Sequence, residues 1–192
     1  MTRTRLTEAE GRALLLAAAT EIITETGSPN ITVREVASRA GINHGLVHRY
    51  FGTKDALISA VIAEISRTVA EELADPTREG DVLRSDGAGT LARLIGHAMI
   101  SGGEDGTEAL RSAADHPVAS VLIQRCEAAG LDEKDSRLAA AQIMALGLGW
   151  RLNEQFLVTA CGLEDSDVET LRSDLRDACL QIARARVSLP VS

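Results

Sequence analysis

Apolar residues recur at helical spacing along most of this chain, in blocks separated by short polar breaks, and each block predicts one helix. Thr7 with Glu10 forms a capping box, and the helix behind it runs to about Thr26 with Leu14, Ala18 and Ile22 on one face. Gly27-Ser28-Pro29-Asn30 is a clear break. Thr32 with Glu35 is a second capping box, after which Val33, Val36, Ala37 and Ala40 give a short apolar face. Gly41 ends that helix, where a left-handed residue is needed and glycine adopts it cheaply. Asn43 is placed to cap a second short helix, His44 to about Tyr50, with Val47 pointing inward.

From Thr53 a longer helix is expected to about Ala74, because Leu57, Val61, Ile65, Val69 and Leu73 make an unbroken i, i+4 stripe. Residues 75–89 read as a polar linker with at most a short helix at 78–84. Gly87 to Ser101 is a further apolar helix, carrying Leu91, Leu94, Ile95, Ala98 and Met99, and Gly102-Gly103 breaks it. Asp105 with Glu108 caps the next helix, to about Asp115. Pro117 suits the first turn of another, which Gly130 closes. Glu133 to about Cys161 is a long helix with Gly147 and Gly149 inside it, each costing about 1 kcal/mol relative to alanine. Interior glycines there imply a close helix approach or room for a bound molecule. Ser166 with Glu169 caps the last helix, to about Val187, with Val168, Leu171, Leu175, Ala178, Cys179 and Ile182 on its apolar side.

The expected fold is therefore all-α, with about nine helices. Few aromatics, four prolines and abundant Ala, Leu, Glu and Arg agree with it. A chain of 192 residues buries roughly two-thirds of its unfolded surface and needs no staples. No apolar run reaches the roughly 18–20 residues of a membrane span, and no charged-then-apolar leader opens the chain, so a cytoplasmic protein with no membrane partner is expected. Cys126, Cys161 and Cys179 lack metal-ligand spacing and read as reduced core thiols.

Net charge is −8, but it is unevenly placed. Residues 1–60 hold seven Lys/Arg against six Asp/Glu, whereas residues 61–192 hold thirteen against twenty-two. Arg34, Arg39, Arg49 and Lys54 lie in the window of the two short helices, opposed there only by Glu35 and Asp55. Phosphate attraction decays over about 10 Å in salt, so acidity elsewhere does not forbid nucleic-acid binding. Two short helices around a glycine turn, with small Ala37 at the crossing, suit a helix-turn-helix whose second helix enters the DNA major groove. Residues 1–6, with Arg3 and Arg5, read as a terminal arm able to touch phosphates or a minor groove.

The run Gly41-Ile42-Asn43-His44-Gly45-Leu46-Val47-His48-Arg49-Tyr50-Phe51-Gly52-Thr53-Lys54-Asp55-Ala56-Leu57 resembles the signature of tetracycline-repressor (TetR) family regulators. The likeness covers the first 57 residues well; beyond them only length and helical texture agree. It departs at His48, where the family usually has a phosphate-contacting tyrosine, and at Leu46, where a small residue or threonine is common. The resemblance implies three helices for reading DNA, residues 1–52, and a larger effector and dimer domain, residues 53–192. It also implies a homodimer in which the last two helices, 133–161 and 166–187, pair with their mates as a four-helix bundle, although their apolar stripes equally suit the protein's own core.

The candidate DNA contacts are Thr32, Arg34, Asn43, His44, Gly45, Leu46, His48, Arg49, Tyr50 and Lys54. Thr32 and the amides behind it offer a phosphate site, Arg34 and Arg49 reach phosphate or guanine edges, and Leu46 suits a thymine methyl. His48 and Tyr50 fall at family phosphate-contact positions, His48 acting as a neutral donor or, protonated, as a cation. Val47 and Phe51 read as core. For an effector pocket the candidates are His97, Met99, His116 and Gln124, together with Trp150, Asn153, Glu154 and Phe156. No phosphate loop, nucleophile elbow or metal spacing is present, so neither an enzyme nor a cofactor is expected. The reading is a ligand-responsive repressor that binds a palindromic operator. The alternatives are a DNA-binding protein without an inducer, and an all-α enzyme or carrier.

Overall fold

The computed structural model describes residues 6–75, 85–101 and 116–187. The described residues are helical, in the order α1 (Glu8–Thr26), α2 (Val33–Arg39), α3 (Gly45–Phe51), α4 (Lys54–Ala74), α5 (Asp86–Ser101), α6 (Pro117–Ala128), α7 (Glu133–Ala160) and α8 (Val168–Val187). The terminal arm, the short helix expected at 78–84 and the helix expected at 105–115 lie outside the described residues. Among the described residues no helix is long and apolar enough to cross a membrane.

Local chemistry explains most boundaries. Both anticipated capping boxes form. Thr7 and Glu10 exchange bonds at the start of α1, and Thr32 and Glu35 do so at the start of α2. Gly27, Gly41, Gly52, Gly130 and Gly162 all have positive φ. At Gly41 (φ +66°) the requirement is concrete, because the amides of Gly41 and Ile42 close back on the carbonyls of Ser38 and Ala37. The cap of α8 corrects the expectation at Ser166. Asp167 receives the Thr170 amide at 2.9 Å, whereas the Ser166 amide donates to the Leu163 carbonyl. Proximity in sequence to Glu169 was therefore a false capping signal.

One apolar cluster joins α1, α2 and α3 to α4 and the start of α5. Leu15, Ile23, Val36, Val47, Leu57, Val61, Leu91 and Leu94 are enclosed in it. The α4 stripe behaves as expected through Leu57, Val61, Ile65 and Val69. On α1, Ala18 and Ile22 are buried as expected, and Leu14 is the exception. Leu14 is 43% exposed, and the buried line runs instead through Gly11, Leu15, Ala18 and Ile22 with Ala19 and Ile23 beside it. An alanine-rich helix has two similar apolar faces, and only the partner helices choose between them. A second small cluster surrounds Cys126, Leu131 and Ala139. Cys126 and Cys179 are buried, and burial raises both thiols above their usual range, but Cys161 is exposed at the end of α7 and is no core residue.

Two polar contacts tie the layers together. Arg93 on α5 donates to the Gly27 carbonyl at the end of α1 (3.1 Å) and to Thr90 (3.2 Å). His116, at the start of α6, shares a 3.1 Å bond with the buried Ser66 hydroxyl on α4. Burial holds His116 below the ordinary imidazole value of 6.5. The unfolded chain therefore takes up a proton that the folded chain refuses, and stability falls as pH drops through 6.5 toward the folded value. Urea denaturation at about pH 8 and about pH 5 checks this: the stability advantage of the parent over His116→Gln shrinks at the lower pH.

Candidate functional site

The exposed end of α2, α3 and the start of α4 collect most of the anticipated contacts on one head. Thr32, Arg34, Asn43, His44, Gly45, His48 and Arg49 are exposed, and Leu46, Tyr50 and Lys54 are half-exposed. The α2 amides are presented by the Thr32 cap: its hydroxyl accepts from the Glu35 amide (3.2 Å) and the Glu35 carboxylate accepts from the Thr32 amide (2.7 Å). Hydrogen bonds from Thr32, and secondarily the Lys54 charge, hold the Glu35 carboxyl below its usual range. At α3 the Asn43 carboxamide oxygen accepts from the Gly45 amide (2.9 Å), so α3 begins one residue later than the sequence suggested. Val47 and Phe51 are buried, as expected.

Three side chains differ from the sequence reading. Arg39 belongs to the scaffold. Its guanidinium makes two 2.9 Å bonds to Glu25 on α1 and lies 3.6 Å from Glu21, which removes it from the positive head. Tyr50 lies against α1, where a Cβ added at Gly11 would meet its ring at 2.7 Å and its hydroxyl at 3.0 Å. His48 has its Nδ1 3.1 Å from the Gly52 carbonyl, which can only accept. In the neutral ring Nδ1 then holds the proton, and Nε2 is an acceptor that repels a phosphate oxygen. With Nδ1 engaged by Gly52, the neutral N–H donor expected of His48 is turned to its own helix end.

Sequence reasoning missed what fixes α3. Arg12 on α1 donates to the Tyr50 carbonyl (2.8 Å), and its guanidinium sits 4.2 Å from the Phe51 ring centroid. Gly11 beside it leaves space for Tyr50. The available signal was a glycine inside an otherwise good helix, which is tolerated for a packing reason.

A cavity of about 170 Å³ lies in the body between α4, α5, α6, α7 and α8. Its wall is aliphatic, with Val69 and Leu73 from α4, Leu91 from α5, Leu122 from α6 and Ile143 and Leu148 from α7. Arg125, Arg151 and Arg176 also reach it, and Gly147 is part of its wall. None of the anticipated pocket residues with a described side chain lines it. His97, Gln124 and Asn153 are exposed, Phe156 is 69% exposed, and His116 is held by Ser66. The side chain of Met99 lies outside those described. Trp150 is half-buried, with its indole N–H enclosed and unpartnered among the described residues. Glu154 instead braces Arg151 (3.1 Å) and Arg172 (3.2 Å). Bulky and polar residues attracted attention in the sequence, whereas the wall is built from ordinary aliphatic residues on the neighbouring helix faces.

Comparison with known proteins agrees with this arrangement. The sequence profile of bacterial regulatory proteins of the tetR family matches residues 15–61. The chain is 31% identical over 173 residues, 90% of its length, to the HTH-type transcriptional repressor Rv3405c of Mycobacterium tuberculosis, of which 89% is covered. In fold it is similar to Salmonella enterica GusR (TM-score 0.63, 19% identity, 91% of this chain and 95% of that one). It is also similar to BioQ, solved with its double-stranded DNA operator (TM-score 0.56, 22% identity, 94% and 99% covered).

The cap at the head gives a direct test. Thr32→Ala removes the acceptor of the Glu35 amide and should cost about 1 kcal/mol in urea denaturation, while Thr32→Ser should stay near the parent.

Proposed function

This chain belongs to the tetR family of bacterial regulatory proteins and is a DNA-binding transcriptional regulator; on that premise we propose that it is a dimeric repressor released from a palindromic operator by a small molecule. The observation that carries this reading is the exposed head formed by Thr32, Arg34, His44, Arg49 and Lys54, on short helices that α1 locks in place. Residues 1–52 serve as the reading head and residues 53–192 as the body. In the dimer two α3 helices enter successive major grooves, roughly 34–36 Å apart. Lys54 and the α2 N-terminus grip phosphates, Arg49 and Arg34 reach base edges or phosphate, and Gly45 allows close backbone approach. Asn43 and Leu46 border the groove, and Tyr50 holds α3 while offering its position at the backbone.

Dimer formation through α7 and α8 is supported by an exposed apolar line on α7. Leu138, Leu152 and Phe156 are 43%, 45% and 69% exposed, and Ala141 and Ala145 are exposed between them at helical spacing. The cavity is the effector site. A ligand that prefers a conformation with a different head spacing shifts the population off DNA, to the extent of its differential affinity. Movement reaches the head along α4, about 30 Å long at 1.5 Å per residue, and through the Arg93 bond to the end of α1. We assign no catalytic step, since the relatives are named regulators and repressors of transcription. The protein works in the cytoplasm, where its operator lies.

Mobility shift on the DNA upstream of its own gene, at two salt concentrations, tests the reading. Lys54→Ala should weaken binding to all sequences alike and lower the salt slope by about one phosphate's share. Arg49→Ala should cost about 1–3 kcal/mol and relax preference at one base pair. Phe156→Glu should give a monomer by sedimentation and lose operator binding without loss of helical content. Parent-like operator binding by both head variants would refute the contact map.

A further inference from the structure

We infer that the body cavity takes a small uncharged apolar molecule, the size of one ring with a short alkyl branch, and discriminates against charged molecules of the same shape. The inference rests on the cavity being the effector site proposed above, and adds the chemistry of what it binds.

The wall is the central observation. Leu73 from α4, Leu91 from α5, Leu122 from α6, Leu148 from α7 and Leu180 from α8 converge on the cavity, so five helices each present an apolar side chain to it. Among the described lining residues there is no carboxylate, amide or hydroxyl side chain. Cys126, Met144 and Cys179 add sulfur to the wall. Burial raises both thiols above their usual range, so they stay protonated and behave as small apolar groups. Polarisable sulfur beside an aromatic edge adds a modest attraction, which favours a ring over an open chain.

Arg125, Arg151 and Arg176 also touch the cavity, and each is engaged elsewhere. The Arg125 Nη1 donates to the Leu73 carbonyl (2.6 Å). Arg176 pairs with Asp177 (3.1 Å) and donates to the Ser173 hydroxyl (3.2 Å). Arg151 donates to Glu154 (3.1 Å) and to the Ser85 carbonyl (3.3 Å). Its guanidinium is packed on α5 so closely that a Cβ added at Gly89 would collide with it. Arg172, which shares Glu154, also has Glu169 at 3.7 Å. These partners answer the positive charge, and what the arginines lend to the cavity is chiefly aliphatic stem.

The consequence for a ligand is a matter of hydration. An anion would shed its water and meet an almost wholly apolar surface, and a cation would do the same beside arginines. An uncharged apolar molecule has little hydration to lose. Apolar cavities stay dry when empty, so such a molecule gains contacts on every side without displacing bound water. The volume of about 170 Å³ is close to the roughly 150 Å³ of a cavity that encloses benzene, which sets the size at a single ring with a small branch.

The full-length protein is titrated by calorimetry and thermal shift with ethylbenzene, indane and propylcyclohexane. Phenylacetate and benzylamine carry a similar body with one negative or one positive charge. At least one uncharged compound should bind saturably and about tenfold or more tighter than either ion. Leu148→Trp and Met144→Trp, each filling the cavity from a half-buried position, should lose about tenfold or more of that affinity. Circular dichroism confirms that each variant is folded. If neither variant folds, the comparison of uncharged and charged compounds on the parent decides alone. Absence of saturable binding by every uncharged compound overturns the inference, as does an ion that binds as tightly as the uncharged compounds, or parent-like binding by both folded variants. Mobility shift separates the inference from the reading beneath it. Loss of specific DNA binding without ligand refutes the regulator, whereas intact operator binding with no uncharged compound bound refutes only the ligand class. Saturable binding that leaves operator affinity unchanged upholds the ligand class and refutes the effector role.

Discussion

Helix α3 has only seven residues, and a helix that short has little stability of its own in water. Its position is therefore a property of α1. Gly11 leaves space for the Tyr50 ring, Arg12 holds the Tyr50 carbonyl and covers Phe51, and Val47 and Phe51 fill the apolar layer beneath. The same α1 holds α2 through the pair of bonds from Arg39 to Glu25. A reading head that must present side chains to base edges needs this rigidity, because loose anchoring of a seven-residue helix would spread its contacts over several registers.

The far end of α1 meets the body. Gly27 closes the helix in a left-handed turn, and its carbonyl receives Arg93 from α5. Helix α5 also contributes to the cavity wall, and the Ser85 carbonyl just before it receives Arg151 from α7. A physical route therefore runs from cavity to head over two arginine–carbonyl bonds and one short helix, in parallel with α4. Each of those bonds is a charged donor on a backbone acceptor, stronger than a neutral pair but open to competition from a better anion. Such a contact holds one state without making it permanent.

Much of this arrangement was legible in the residues. Capping boxes at Thr7 and Thr32, glycine stops at Gly41, Gly130 and Gly162, and the i, i+4 stripe of α4 are local signals, and the structure obeys them. Where two local signals competed, the sequence did not decide. Ser166 was expected to cap α8 but Asp167 does, and Leu14 was expected to face the core of α1 but Leu15 does. The outcome depended on the approach of neighbouring helices. The effector candidates with described side chains lie away from the cavity for a related reason. Trp150, Asn153 and Phe156 are conspicuous in a helix, but a cavity is a gap between helices, lined by whatever their facing sides carry.

By itself, then, the chain determined the described helices, most of their ends, the helix-turn-helix and the concentration of positive charge near it, because caps, turns and periodicity act over a few residues. Tertiary structure alone decided the rest. It turned Arg39 from a DNA-side charge into a brace, placed the His48 Nδ1 against the Gly52 carbonyl, and enclosed the Arg151 Nε without a partner among the described residues. Each of these is a matter of which groups far apart in sequence come within about 3 Å of one another, the range over which a hydrogen bond acts, and no local pattern encodes that distance.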